Sequence, residues 1–116
     1  MNVFEYAHAT EVCFEEFLNS VGKERKTTFF SDLSIAEWYG VDSINETYNN
    51  VTKYWLDDVE FMSEFVIALN QKIWQHHEYG QKKLVEVYDR LWRKCDDLCR
   101  EHFKGKELKY YYNYID

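Results

Sequence analysis

The stretch DVEFMSEFVIALNQKIWQHHEYGQKKLVEVYDRLWRKCDDLCREH, residues Asp58–His102, decides the fold. In its second half Leu84, Tyr88, Leu91, Cys95, Leu98 and His102 fall at spacings of 4, 3, 4, 3 and 4. That keeps one stripe on one helix face. Between them stand Lys83, Glu86, Asp89, Arg90, Arg93, Lys94, Asp96, Asp97 and Arg100, which belong in water. The first half repeats the logic with Met62, Phe65, Val66, Leu69, Ile73 and Trp74. Gly80, after Tyr79, can end a helix in a left-handed conformation without a side-chain penalty. So short a break favours an antiparallel pair. The spacing therefore predicts a helical hairpin over about 58–79 and 81–102. Each helix carries an apolar stripe that needs cover, so the remaining chain must supply the missing walls.

Working backward, Asp42-Ser43-Ile44-Asn45-Glu46 reads as a helix start, with Ser43 and Glu46 as a capping box. That helix carries Ile44, Tyr48, Val51, Tyr54 and Trp55 and breaks near Asp57-Asp58. Asp58 suits the positive end of the next helix dipole. Phe29 to Gly40 reads as a shorter helix. Ser31 is its cap with Phe30 and Ile35 as a hydrophobic staple, or Ser34 and Glu37 form the box instead. From Thr10 to about Val21 a helical spacing places Val12, Phe14, Phe17, Leu18 and Val21 on one face and Glu11, Glu15 and Glu16 outside it. Residues 1–9 carry little pattern and read as a loose arm or short strand. Lys23-Glu24-Arg25-Lys26 is a solvated connection, too small a basic cluster for a nucleic-acid site. Beyond His102, Gly105 stops the helix and Glu107 to Tyr114 forms a last turn or two. The expected fold is all-α: one domain over residues 1–116, a bundle of five to six helices around the hairpin.

The composition agrees. The 116 residues suffice for one core. Aromatics make up 19% and proline is absent, so the core is built from rings and the helices are uninterrupted. No apolar run approaches the ~20 residues that span a bilayer. The start Met1-Asn2-Val3-Phe4-Glu5 lacks the basic and apolar regions of a signal peptide. A cytoplasmic protein with three reduced cysteines is expected, and no membrane partner. The net charge of −7 is uneven. Residues 1–64 hold 13 acids and 4 bases, a balance of −9, while residues 65–116 hold 8 acids and 10 bases, a balance of +2. An acidic front half repels nucleic acid and attracts basic protein surfaces, or simply keeps a small protein in solution.

Candidate chemistry is thin. Cys95, Cys99 and His102 share a helix face and are zinc-ligand types, with Asp58 within reach as a fourth. The same cysteines continue the apolar stripe, where a free thiol acts as a small hydrophobe. His76-His77 stands at a helix end, where cations are favoured anyway. Glu5-x-x-His8 occurs once, and a di-iron bundle needs two such units. Glu60 and Glu64, one turn apart after Asp57 and Asp58, fall opposite the apolar positions and read as a solvated face. No phosphate loop or nucleophile elbow is present. The expectation is no enzyme, no cofactor and no metal.

The runs Phe30-Ser31-Asp32-Leu33-Ser34-Ile35-Ala36-Glu37-Trp38-Tyr39-Gly40, Glu46-Thr47-Tyr48, Leu69-Asn70-Gln71-Lys72-Ile73-Trp74, Tyr88-Asp89-Arg90-Leu91-Trp92 and Lys104-Gly105-Lys106-Glu107-Leu108 form a further pattern. In this order they resemble a group of small uncharacterised proteins carried by phages and conjugative elements of gut bacteria, over roughly residues 28–116. The resemblance names no catalytic residue. It implies a small acidic protein that binds a host protein, in the manner of anti-CRISPR or anti-restriction inhibitors that present carboxylates to a nuclease. Glu11, Glu15, Glu16, Glu37, Glu46, Asp57, Asp58, Glu60 and Glu64 would be the charges involved. The alternative is a structural or assembly adaptor, homo-oligomeric in one form. It would bury an aromatic patch of Trp38, Tyr39, Tyr110, Tyr111, Tyr112 and Tyr114.

Overall fold

The computed structural model describes residues 29–115. The predicted Thr10–Val21 helix, the N-terminal arm and Glu11, Glu15 and Glu16 lie outside them. The described residues form five α-helices and no strand: α1 Phe29–Glu37, α2 Val41–Trp55, α3 Val59–Glu78, α4 Lys82–His102 and α5 Gly105–Ile115. The protein is all-α. None of these helices is long and apolar enough to cross a membrane. The chain divides into two compact units, residues 1–51 and 52–116.

In the first unit α1 is already helical at Phe29, two residues before the expected cap. Ser31 therefore stands inside the helix, and Ser34 donates its hydroxyl back to the Phe30 carbonyl at 3.0 Å rather than capping an end. The α1–α2 connection turns at Gly40, whose φ of 109° a side chain would strain. The Gly40 carbonyl accepts from the backbone N–H groups of Ser43 and Ile44, so α2 begins at Val41. Ser43 is thus a buried residue of the first turn, and the expected box with Glu46 does not form at that position. The buried face of α2 is Ser43, Ile44, Thr47, Tyr48 and Val51. The Thr47 hydroxyl satisfies itself on the Ser43 carbonyl at 2.9 Å. Tyr54, expected on that face, is exposed.

The second unit is built on the hairpin. Trp55 and Phe61 stack obliquely, 4.4 Å between centroids, across the bend that leads into α3. Asp58 caps α3, its Oδ1 accepting from the Phe61 backbone N–H at 3.1 Å. The far end of α3 closes in a Schellman arrangement: Gln81 N–H donates to His76 O at 2.8 Å and Gly80 N–H to His77 O at 3.1 Å. Gly80 supplies the φ of 69° this needs. The chain then reverses into α4. At the opposite end, Asp57 before α3 meets His102 at the last turn of α4, Oδ1 to Nε2 2.8 Å. Bonds at both ends fix the pair as antiparallel.

The buried face of α3 runs Met62, Phe65, Val66, Leu69, Lys72 and His76. It departs from the predicted stripe at its end. Ile73 is half-buried, and Trp74 is 65% exposed. The reason is angular: Trp74 is five residues past Leu69, about 140° round the axis, whereas Lys72 and His76 follow at three and seven. On α4 the buried residues are Val87, Tyr88, Leu91, Cys95 and Cys99. Leu84 and Leu98 are half-buried, and His102 is exposed. α5 packs against both hairpin helices through the fully buried Tyr111. Phe103, buried in the connection, lies 6.3 Å from the Tyr111 ring.

The burial pattern makes a sharp distinction between two large apolar residues of α3. Leu69→Ala should cost about 2–5 kcal/mol of unfolding free energy by urea titration. Trp74→Ala should stay within about 0.5 kcal/mol, because it empties no core position.

Candidate interaction surfaces

The acidic candidates divide by role. Glu37 is half-buried at the end of α1 and Glu46 is exposed on α2. Both belong to the first unit. In the second unit Asp57, Asp58, Glu60 and Glu64 cluster at the start of α3. Asp58 is engaged as the cap. Asp57 is 96% exposed and holds His102. Glu60 is exposed and Glu64 half-buried. The start of α3 concentrates negative charge at a positive helix end, which stabilises both.

The C-terminal tyrosines also divide. Tyr111 points inward, and its hydroxyl donates to Asp96 Oδ1 at 2.5 Å. Asp96 is held on its other oxygen by the Arg100 guanidinium at 2.9 Å. Arg100 in turn lies 5.1 Å from the centroid of the Tyr112 ring, a cation–π contact. Tyr110 and Tyr114 point outward, 38% and 43% exposed, and stack on each other with centroids 5.9 Å apart and an interplanar angle of 23°. Trp38 and Tyr39 follow α1 in the first unit, Trp38 exposed and Tyr39 half-buried.

Below Tyr111 lie Cys95 and Cys99, both fully buried free thiols. The hydrogen bond with Cys99, and then burial, push the Cys95 thiol above its ordinary range. Burial first, and then the bond to Asp96, push the Tyr111 hydroxyl far up. These groups are held neutral, the state of a packed interior. His102 is turned toward Asp57, Cys95 and Cys99 are buried as the apolar-stripe reading expects, and Asp58, weighed as a fourth ligand, accepts from the Phe61 backbone N–H. Among the described residues no group of three or more His, Cys, Asp or Glu side chains could hold a metal ion.

The hairpin tip holds features the spacing did not announce. His76 is buried, stacked parallel on Tyr88 with centroids 5.6 Å apart, its Nδ1 against Gln81 Oε1. Lys72 is buried with Nζ on Gln75 Oε1 at 3.0 Å. Outside them, Trp74 meets the His77 ring edge-on at 6.1 Å, and Tyr79 is 73% exposed. An open cavity of about 300 Å³ adjoins, lined by His77, Gly80, Gln81, Lys82, Val85 and Glu86. The exposed Trp74 could have been found by plotting residues at 100° per position; the partners of Tyr111 and His76 depend on tertiary contacts and had no sequence signal. No family model, curated protein or solved structure matches this chain.

The Tyr111–Asp96 bond has a signature in pH. The folded Tyr111 value lies above the unfolded one, so its contribution is complete below about pH 10, the free tyrosine range. It is lost as pH climbs from there toward the folded value. Tyr111→Phe should cost about 1–3 kcal/mol at neutral pH, the scale of a hydrogen bond to a charged group. In denaturant titrations the gap between the wild type and this variant should narrow above about pH 10.

Proposed function

We propose that this protein works by binding another protein, as a non-enzymatic adaptor whose contact surface is the outward face of the C-terminal helix α5. The observation that carries this reading is the Tyr110–Tyr114 pair. Two large rings stack on each other in water while their neighbour Tyr111 takes the only fully buried position of the helix. The folding of α5 buries Tyr111 and keeps a part of each of the other two rings exposed. Tyrosine offers rigid apolar area and a polar tip at low entropic cost, which is why it concentrates in binding hot spots. Trp38 and Tyr39 of the first unit are candidates for a second contact of the same kind.

A second reading follows from the resemblance to mobile-element proteins: an inhibitor that presents carboxylates to a basic host protein, such as a nuclease of the anti-CRISPR or anti-restriction targets. The exposed Asp57 and Glu60 at the start of α3 favour it. The engagement of Asp58 as a cap and the partial burial of Glu64 reduce the charge available to it.

The two readings separate in one capture experiment on a bacterial host lysate, run at low and high salt. For an adaptor, Tyr110→Ala with Tyr114→Ala should lower retention of the specific partner by about tenfold or more, and salt should matter little. For a carboxylate inhibitor, Glu60→Lys with Glu64→Lys should abolish retention, and binding should weaken as salt rises. Retention unchanged by the tyrosine pair of substitutions overturns the adaptor reading.

A further inference from the structure

Cys95 and Cys99 are buried nucleophiles with no part in the adaptor reading. They stand one turn apart on α4, beneath Tyr111, and their thiols hydrogen-bond to each other. They do not close into a disulfide while α4 stays helical. Cβ atoms at i and i+4 lie about 5–6 Å apart, and a disulfide needs about 3.8 Å. Their reaction is therefore with an outside molecule, which needs a path to the sulfurs. Of the two described helices packed on α4 in this unit, α3 is fixed by the hairpin, and α5 can leave without parting it. Three contacts hold α5 at this place: the Tyr111 hydroxyl on Asp96, the Tyr111 ring beside Phe103, and Arg100 over the Tyr112 ring. The same helix carries Tyr110 and Tyr114, on which the adaptor reading rests.

Resting on that reading, we infer that α5 is a redox-released lid: a small-molecule disulfide captures the open state by exchange at Cys95 or Cys99 and so removes the tyrosine face from its docked position. In the exchange the cysteine sulfur gives up its proton and attacks one sulfur of R–S–S–R. A bond from the cysteine sulfur to S–R forms and the original S–S bond breaks. The departing R–S⁻ takes up a proton and leaves as R–SH, so the cysteine is oxidised and the second half of the reagent is reduced. Closed, the thiols are inert, because burial keeps them protonated and out of reach. Once attached, the S–R group bars the return of α5. It occupies a place that is fully buried in the closed form, where a close-packed interior has no room for added atoms or an unpartnered polar tail. Excess free thiol reverses the exchange and lets the helix dock again.

The test uses the full chain and oxidised glutathione, with peptide mass mapping to place the adduct. Wild type should take up glutathione at Cys95 or Cys99 in native buffer, at a rate that low urea changes little, because the opening exposes little surface. Tyr111→Phe should speed the uptake about tenfold or more, since it removes a hydrogen bond to a charged group that holds the lid. Trypsin should cut the adduct at Lys106 and Lys109 before it cuts the hairpin, and dithiothreitol should restore resistance. Cys95→Ala with Cys99→Ala should stay resistant at those lysines in the presence of oxidised glutathione. Uptake that occurs only with the urea dependence of global unfolding overturns the inference. So does a Tyr111→Phe rate equal to that of wild type, or an adduct whose α5 stays resistant. None of these readouts involves a partner, so the adaptor reading stands or falls separately, on the tyrosine substitutions in the capture experiment.

Discussion

The mutual cover of α3 and α4 is the constraint on which residues 52–115 depend. Each helix is amphipathic, and neither can leave its apolar stripe in water. A turn this short obliges them to cover each other along their whole length. Gly80 makes the reversal possible at one end, and Asp57 with His102 ties the other. The aromatic content then finds its place. Phe61, Phe65 and Tyr88 fill the seam, and α5 lays Tyr111 over what the pair leaves open.

The hairpin was legible because its signals agree at several levels. The 4-3-4-3-4 spacing after Gly80, a glycine where a left-handed turn is required, and Asp58 at a helix start all point to one arrangement. The less legible parts have physical causes. Local i, i+3, i+4 spacing carried Trp74 into the predicted stripe, although its angle from Leu69 puts it outside. Ser31 and Ser43 look like caps in isolation, yet helix starts are set by where the backbone turns, and Gly40 moved the start of α2 upstream. The inward Tyr111 among four near-consecutive tyrosines could not be chosen from sequence, because the choice is made by Asp96 on another helix.

Buried polarity sets the specificity of this fold. Lys72, His76, Asp96 and Tyr111 lie in or at the edge of the interior, and each has a hydrogen-bond partner. An apolar seam tolerates small slips in register at modest cost. A hydroxyl that must meet one carboxylate, or an imidazole that must lie flat on one phenol ring, does not. These contacts select one alignment of α3, α4 and α5 from the several that hydrophobic cover alone would allow.

The small footprint of α5 has a kinetic consequence. It buries one of its own side chains fully, where α3 buries nine. Local opening follows the least-anchored element first, so the energy ladder of this unit has α5 on its lowest rung. When that helix lifts, water reaches the two buried thiols beneath it before the hairpin parts. The amides of α5 then exchange with solvent on a faster clock than those of α3, and the chemistry of Cys95 and Cys99 is timed by that opening.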